Sequence, residues 1–139
     1  MSSWEARYLS ILRIMTGLLF MEHGLSKLIG FPTASPAHPS TFPGGPAFFW
    51  LAALLECFGG ALVAVGLFTR WVAFVLSGEM AIGYFMVHNP KNFFPLINQG
   101  DAAILYCFIF FYFFVAGGGA WSLDRLFAGP SAETVRLEA

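Results

Sequence analysis

Residues 8–29 read YLSILRIMTGLLFMEHGLSKLI, an apolar run broken only by a few polar groups, among them Arg13, Glu22, His23 and Lys27. Its length is close to the ~20 residues a helix needs to cross the hydrocarbon core of a bilayer. Three more apolar stretches follow, at 47–68, 71–88 and 101–119. Glu56, Glu79, His88 and Asp101 lie inside them or at their edges. An ionisable group in lipid is costly unless it is paired or faces water, so each is a candidate site residue. The pattern predicts an all-α fold, an integral membrane four-helix bundle. It forms one domain over 1–127 with these four spans, and 128–139 is a cytoplasmic tail.

The composition agrees. Of the 139 residues, 58% are hydrophobic and 11% charged, with a mean hydropathy of +0.71. A soluble domain this small has too little interior to hide so much apolar surface, whereas lipid solvates it. A net charge of −1 provides no basic surface for nucleic acid. The first stretch is long for the core of a cleaved signal peptide and ends in Gly30-Phe31-Pro32, so it is expected to be a retained span. Cys57 and Cys107 belong to no C-x-x-C motif and are expected to pack as small apolar residues. Their depths would also let them meet as a redox pair.

If the four spans alternate in direction, Arg7, Arg70, Arg125 and Arg136 share one side, with Arg13 just inside it. Lys27 and Lys91 stand on the other. That asymmetry places both termini in the cytoplasm. The loop 31–46 carries Pro32, Pro36, Pro39, Pro43 and Pro46 and is expected to form an extended strap. A turn around Thr69-Arg70 makes spans two and three antiparallel neighbours. Gly17, Gly24, Gly59, Gly60 and Gly66 suit close helix packing, and Gly117-Gly118-Gly119 a helix end.

At about 100° per residue, Arg13, Gly17, Phe20, Gly24 and Lys27 share one face of the first helix. Depths counted at about 1.5 Å per residue sort the ionisable groups into two clusters. The inner one is Arg13 with Glu79, expected as a structural ion pair. The outer one holds Glu22, His23, Lys27, His88, Asn98 and Asp101, with Glu56 beneath it, and allows a Lys27–Asp101 pair. Histidine titrates near neutral pH, so such a set can relay protons at the membrane edge. Proton delivery there is what oxidation or reduction of a quinone headgroup requires. His23, Glu56 and His88 are the expected catalytic residues, and Lys27, Asp101, Asn98 and Glu22 the substrate-binding ones. No metal is expected, because no H-x3-H or E-x-x-H pair shares a helix.

Taken in order, several motifs resemble the DoxX family of small four-helix membrane proteins. They are Arg13-x3-Gly17-x2-Phe20-x2-His23-Gly24-x2-Lys27, then Glu56-x2-Gly59-Gly60-x5-Gly66-x2-Thr69-Arg70, then Met80-x3-Tyr84-x3-His88. Asn98-x-Gly100-Asp101 and Ser122-Leu123-Asp124 complete the set. The resemblance runs from about Tyr8 to Phe127. It departs at Asp101, where the family often has glutamate, and at Gln99, where glycine is common. It implies a multi-pass protein of the bacterial inner membrane, like the subunits of thiosulfate:quinone oxidoreductase from which the family name derives. It carries over His23, Lys27, Glu56, His88 and Asp101 as site residues.

The expected function is therefore a membrane subunit of a redox system, quinone- or thiol/sulfur-linked, whose polar pocket opens to the outer face. A quinone is the cofactor it could take. Its partners would be the lipid bilayer and a membrane or peripheral redox protein that supplies electrons. One alternative is a non-enzymatic membrane adaptor or assembly subunit, which predicts a stoichiometric partner protein. A third reading is a small transporter, which predicts helices unwound at mid-membrane.

Overall fold

A computed structural model describes residues 3–32 and 39–128, and their regular structure is entirely helical. Helix α1 (Ser3–Ile29) is followed by a 3-10 turn (Pro39–Thr41) and by α2 (Gly45–Val65). Helix α3 (Thr69–His88), the short α4 (Pro95–Asn98), α5 (Asp101–Ala116) and the short α6 (Leu123–Phe127) complete the order. Each expected stretch holds one long helix, but the ends move. Pro46 in the first turn of α2 pre-sets helical φ, so this helix starts at Gly45. Gly66 at φ 74° and Gly117 at φ 87° stop α2 and α5 earlier than hydropathy alone would. The strap is partly corrected: Pro39–Thr41 form a 3-10 turn, while 33–38 lie outside the described residues, as does the tail over 129–139.

Helices α2 and α3 are each long and apolar enough to cross a membrane. The 16 residues of α5 reach roughly 24 Å. Leu9, Ser10, Arg13, Thr16, Gly17, Phe20 and Gly24 are the buried residues of α1, which is the face the sequence pattern selects. The opposite surfaces of the helices expose large apolar side chains such as Leu19, Phe58, Trp71, Phe74 and Phe108.

The pairing of helices differs from the simple hairpin expectation. Helix α1 packs along α2, and α3 packs along α5, whereas α2 and α3 touch sparingly despite the tight turn between them. Glycine explains the first pair. A Cβ on Gly17 would lie 2.5 Å from the Ala64 nitrogen, and one on Gly60 2.7 Å from the Met21 nitrogen. Backbones this close gain dispersion contacts that larger residues would prevent. Phe20 of α1 joins the two pairs, 4.8 Å from the Phe110 ring and 5.1 Å from Tyr106 between centroids.

One end of the bundle is tied by polar side chains. Arg13 is fully buried, yet no carboxylate among the described residues pairs with it. Its guanidinium donates to the carbonyls of Val63 (2.5 Å), Ala64 (2.6 Å), Gly118 (2.7 Å) and Trp121 (2.8 Å). The expected Arg13–Glu79 ion pair is therefore not formed. Val63 and Ala64 lie in the last turn of α2, where the carbonyl end carries partial negative charge, and Gly118 and Trp121 lie in the loop after α5. Together the four carbonyls match the fork of donors better than one carboxylate would. Arg70 repeats the device on the Phe114 and Val115 carbonyls, at 2.8 and 2.6 Å. Asp124 caps α3 by accepting from the Phe68 and Thr69 amides, at 2.6 and 2.8 Å.

Candidate ligand pocket

The other end of the bundle holds a cavity of about 320 Å³. Its polar lining comes from His23 and Lys27 of α1, Glu56 of α2, Glu79 and His88 of α3, and Gln99 and Tyr106. Phe20, Phe42, Phe48 and Met80 supply apolar walls. Two irregularities in the helices place these groups. Residues Leu55–Gly59 of α2 and Tyr84–His88 of α3 wind as π-turns, so Glu56 and His88 each sit on a widened turn. A π-turn changes the rotational phase of the helix and frees backbone groups locally, and such turns are frequent at functional sites.

Lys27 Nζ forms an ion pair with Glu56 Oε1, and the Glu56 side chain is buried at this contact. The close approach of α1 to α2 makes the pair reachable, since a Cβ on Gly24 would lie 2.7 Å from the Cys57 Cα. Lys27 also lies 5.8 Å from the centre of the Phe42 ring. The alternative Lys27–Asp101 pair is thus replaced by Lys27–Glu56. His88 Nδ1 lies 3.0 Å from the Asn98 carbonyl oxygen, which fixes the ring at the pocket rim. The His23 ring stands edge-on to Tyr106, 6.0 Å between centroids.

Of the expected site residues, His23, Lys27, Glu56 and His88 converge on the cavity. Glu22 and Asp101 do not line it; both are exposed, Asp101 on the first turn of α5. Asn98 is buried but serves the loop. Its amide donates to the Asn92 carbonyl at 2.8 Å, and its Oδ1 accepts from the Gly100 amide at 2.7 Å. Glu79, assigned from depth alone to the inner pair, belongs to the pocket instead. The signal was present, because Glu79, Gly83 and Val87 recur every four residues on one helical face. Tyr106 was missed, although Ala102, Ala103, Tyr106 and Phe110 share a face of α5 in the same way.

Three carboxyl oxygens here are buried without a hydrogen-bond partner: Glu56 Oε2 and both oxygens of Glu79. Buried polar atoms are ordinarily satisfied, and those left over in a cavity point to a missing donor. Among the described residues no group of three or more His, Cys, Asp or Glu is placed to hold a metal ion. The two cysteines do not meet. Both are free, with Cys107 Sγ 3.6 Å from Ser77 Oγ and Cys57 against Gly24.

The DoxX family profile matches residues 8–89, which include His23, Lys27, Glu56, Glu79 and His88. The chain belongs to the DoxX family. This DoxX chain is 36% identical over 130 residues to a Haemophilus influenzae (strain Rd) protein named "Uncharacterized protein", covering 91% of this chain and 96% of that one. Over 68 residues it is 38% identical to "Putative oxidoreductase CatD" of Bacillus subtilis (strain 168). That match spans about half of each chain, 48% and 49%. No solved structure matches this DoxX chain.

Proposed function

We infer that this DoxX protein is a four-span membrane subunit of a redox system, with the pocket taking a quinone headgroup at the outer face. The membrane reading is supported by an inverted distribution of polarity. Arg13 and Glu56 are buried, while Phe58, Trp71, Phe74 and Phe108 face outward. Aqueous solvent would favour the opposite arrangement. The positive-charge asymmetry supports cytoplasmic termini in a bacterial inner membrane. The name of the Bacillus relative agrees with redox chemistry.

The pocket itself carries the redox reading. It joins apolar walls to a cationic donor, two imidazoles, a phenol and the three unpartnered carboxyl oxygens. A quinone ring needs apolar walls and donors to its two carbonyl oxygens. Its reduced form needs acceptors for two hydroxyls. Lys27 and His23 offer the donors, and Glu56, Glu79 and the Nε2 of His88, whose Nδ1–H is committed to the Asn98 carbonyl, offer the acceptors, so the residues fit both forms. When bound, a quinone supplies a two-electron, two-proton couple. Oxidation of two thiols to a disulfide releases two electrons and two protons, so a thiol donor balances reduction to the quinol. His23 and His88 exchange those protons with water, Glu56 relays them, and Lys27 orients one ring oxygen. The electrons come from the thiol reductant or a redox partner protein.

The test is a titration of purified protein in mild detergent with 2,3-dimethoxy-5-methyl-1,4-benzoquinone, followed by quenching of tryptophan fluorescence. Saturable binding that weakens at least tenfold in Glu56→Gln and His88→Ala is expected, with each variant still folded and in the membrane. Wild-type affinity in both variants refutes this use of the pocket.

A further inference from the structure

The sparse contact between α2 and α3 leaves an apolar cleft of about 520 Å³, lined chiefly by Leu51, Leu55, Phe74, Val75, Ile82 and Phe111. It is continuous with the polar pocket, because Phe48, Ala52 and Glu79 line both. A second groove of about 430 Å³ extends it along the same seam as far as Trp71, sharing Leu51, Leu55 and Val75. From Glu79 to Trp71 the seam runs about 12 Å along α3. Ser77, the one hydroxyl of its lining, already donates to the Cys107 carbonyl at 2.9 Å.

We propose that this cleft is a tail site: it holds the alkyl or prenyl chain of a ligand whose polar ring occupies the adjoining pocket. The proposal rests on the quinone-type reading of that pocket and adds to it a lateral entrance from the lipid. Three observations select this occupant. The cleft is nearly free of polar atoms, so it rejects a polar substrate. It meets the polar pocket at a single carboxyl side chain, Glu79, which marks the boundary between ring and chain. Its lining also comes wholly from α2, α3 and α5 and includes no loop residue, which sets it along the helices, where a chain anchored in the bilayer would arrive. The width has a sequence origin in Gly78, where an added Cβ would meet nothing within 4 Å. Its lack of a side chain serves no close packing, and it keeps the seam open.

Gly78→Phe places a ring in this open space without touching a pocket residue's chemistry, and Gly78→Ala is the small control. Two probes are titrated: 2,3-dimethoxy-5-methyl-1,4-benzoquinone and its 6-decyl derivative. In Gly78→Phe the decyl compound is expected to bind at least about tenfold more weakly, with the tailless ring unchanged; Gly78→Ala leaves both at wild-type affinity. Equal decyl binding in Gly78→Phe and wild type overturns the tail site while leaving the ring site standing. Failure of the tailless ring to bind wild-type protein removes the ring site, and the tail site with it. A decyl probe carrying a diazirine at its far end, used on the wild-type protein, is an independent measurement. Photolabelling concentrated on residues 51–62 and 71–82 supports the proposal, and labelling spread evenly over the outer surface overturns it.

Discussion

Replacing Arg13 by methionine removes five donors while keeping most of the side-chain length. Four carbonyls lose a donor at once. The bond to Val63 is wholly buried, but that oxygen also accepts from the Gly66 amide at 3.0 Å, so its loss costs about 0.5–1.5 kcal/mol. The bonds to Ala64, Gly118 and Trp121 are partly buried, so water recovers some of the loss and each costs about 0.5–1.5 kcal/mol. Relief of the charge's own desolvation offsets part of the sum, giving an expected net loss of about 2–4 kcal/mol. Arg13→Lys keeps the charge but cannot fan across four carbonyls, and should cost roughly half as much. The assay is reversible unfolding by SDS in mixed micelles, followed by circular dichroism. A loss below about 1 kcal/mol for Arg13→Met refutes the carbonyl clasp. A double-mutant cycle with Glu79→Gln tests the absence of an ion pair: the two losses should add within about 0.5 kcal/mol. A coupling well beyond that would restore the pair that depth counting suggested.

Lys27→Met alone should destabilise the protein by about 3–5 kcal/mol, because it strands a buried carboxylate. Adding Glu56→Met should recover most of that loss in the same unfolding assay. Gly60→Val forces a side chain against the α1 backbone near Met21 and should lower stability by about 1–3 kcal/mol or more. It should also abolish quinone-ring binding, because α1 carries His23 and Lys27 away from α2. Asp124→Ala removes two hydrogen bonds accepted from backbone amides at the start of α3 and should cost about 0.5–2 kcal/mol, visible as a lower thermal midpoint with unchanged ligand affinity.

Hydropathy and helical periodicity made the long helices legible, and the inward face of α1 could be read almost residue by residue. The helix ends were not, because left-handed residues such as Gly66 and Gly117 stop a helix where the apolar run continues. Depth counting put His23, Lys27, Glu56 and His88 in one cluster, and all four line one cavity. It failed for Arg13 and Glu79. Depth is one coordinate, and the guanidinium had a stronger set of acceptors in backbone carbonyls that carry no sequence signature. Asp101 and Glu22 were misplaced because a rim position does not say which way a side chain turns. The π-turns under Glu56 and His88 had no readable cue at all. They change phase by a fraction of a turn, and only the three-dimensional packing reveals it.

The clasp around Arg13, Arg70 and Asp124 splints the four long helices at one rim only. The far rim is joined by the Lys27–Glu56 ion pair, the close Gly24–Cys57 approach, the His23–Tyr106 ring contact and the Asn98 loop, with no arginine clasp among the described residues. Thermal breathing of the bundle should therefore pivot about residues 63–70 and 114–122, with its amplitude growing toward Gly45 and His88. Backbone amides would exchange with deuterium slowest beside the splint and fastest around the two widened turns. The same uneven bracing would leave the pocket end of the bundle the softer one and keep the opposite rim sealed.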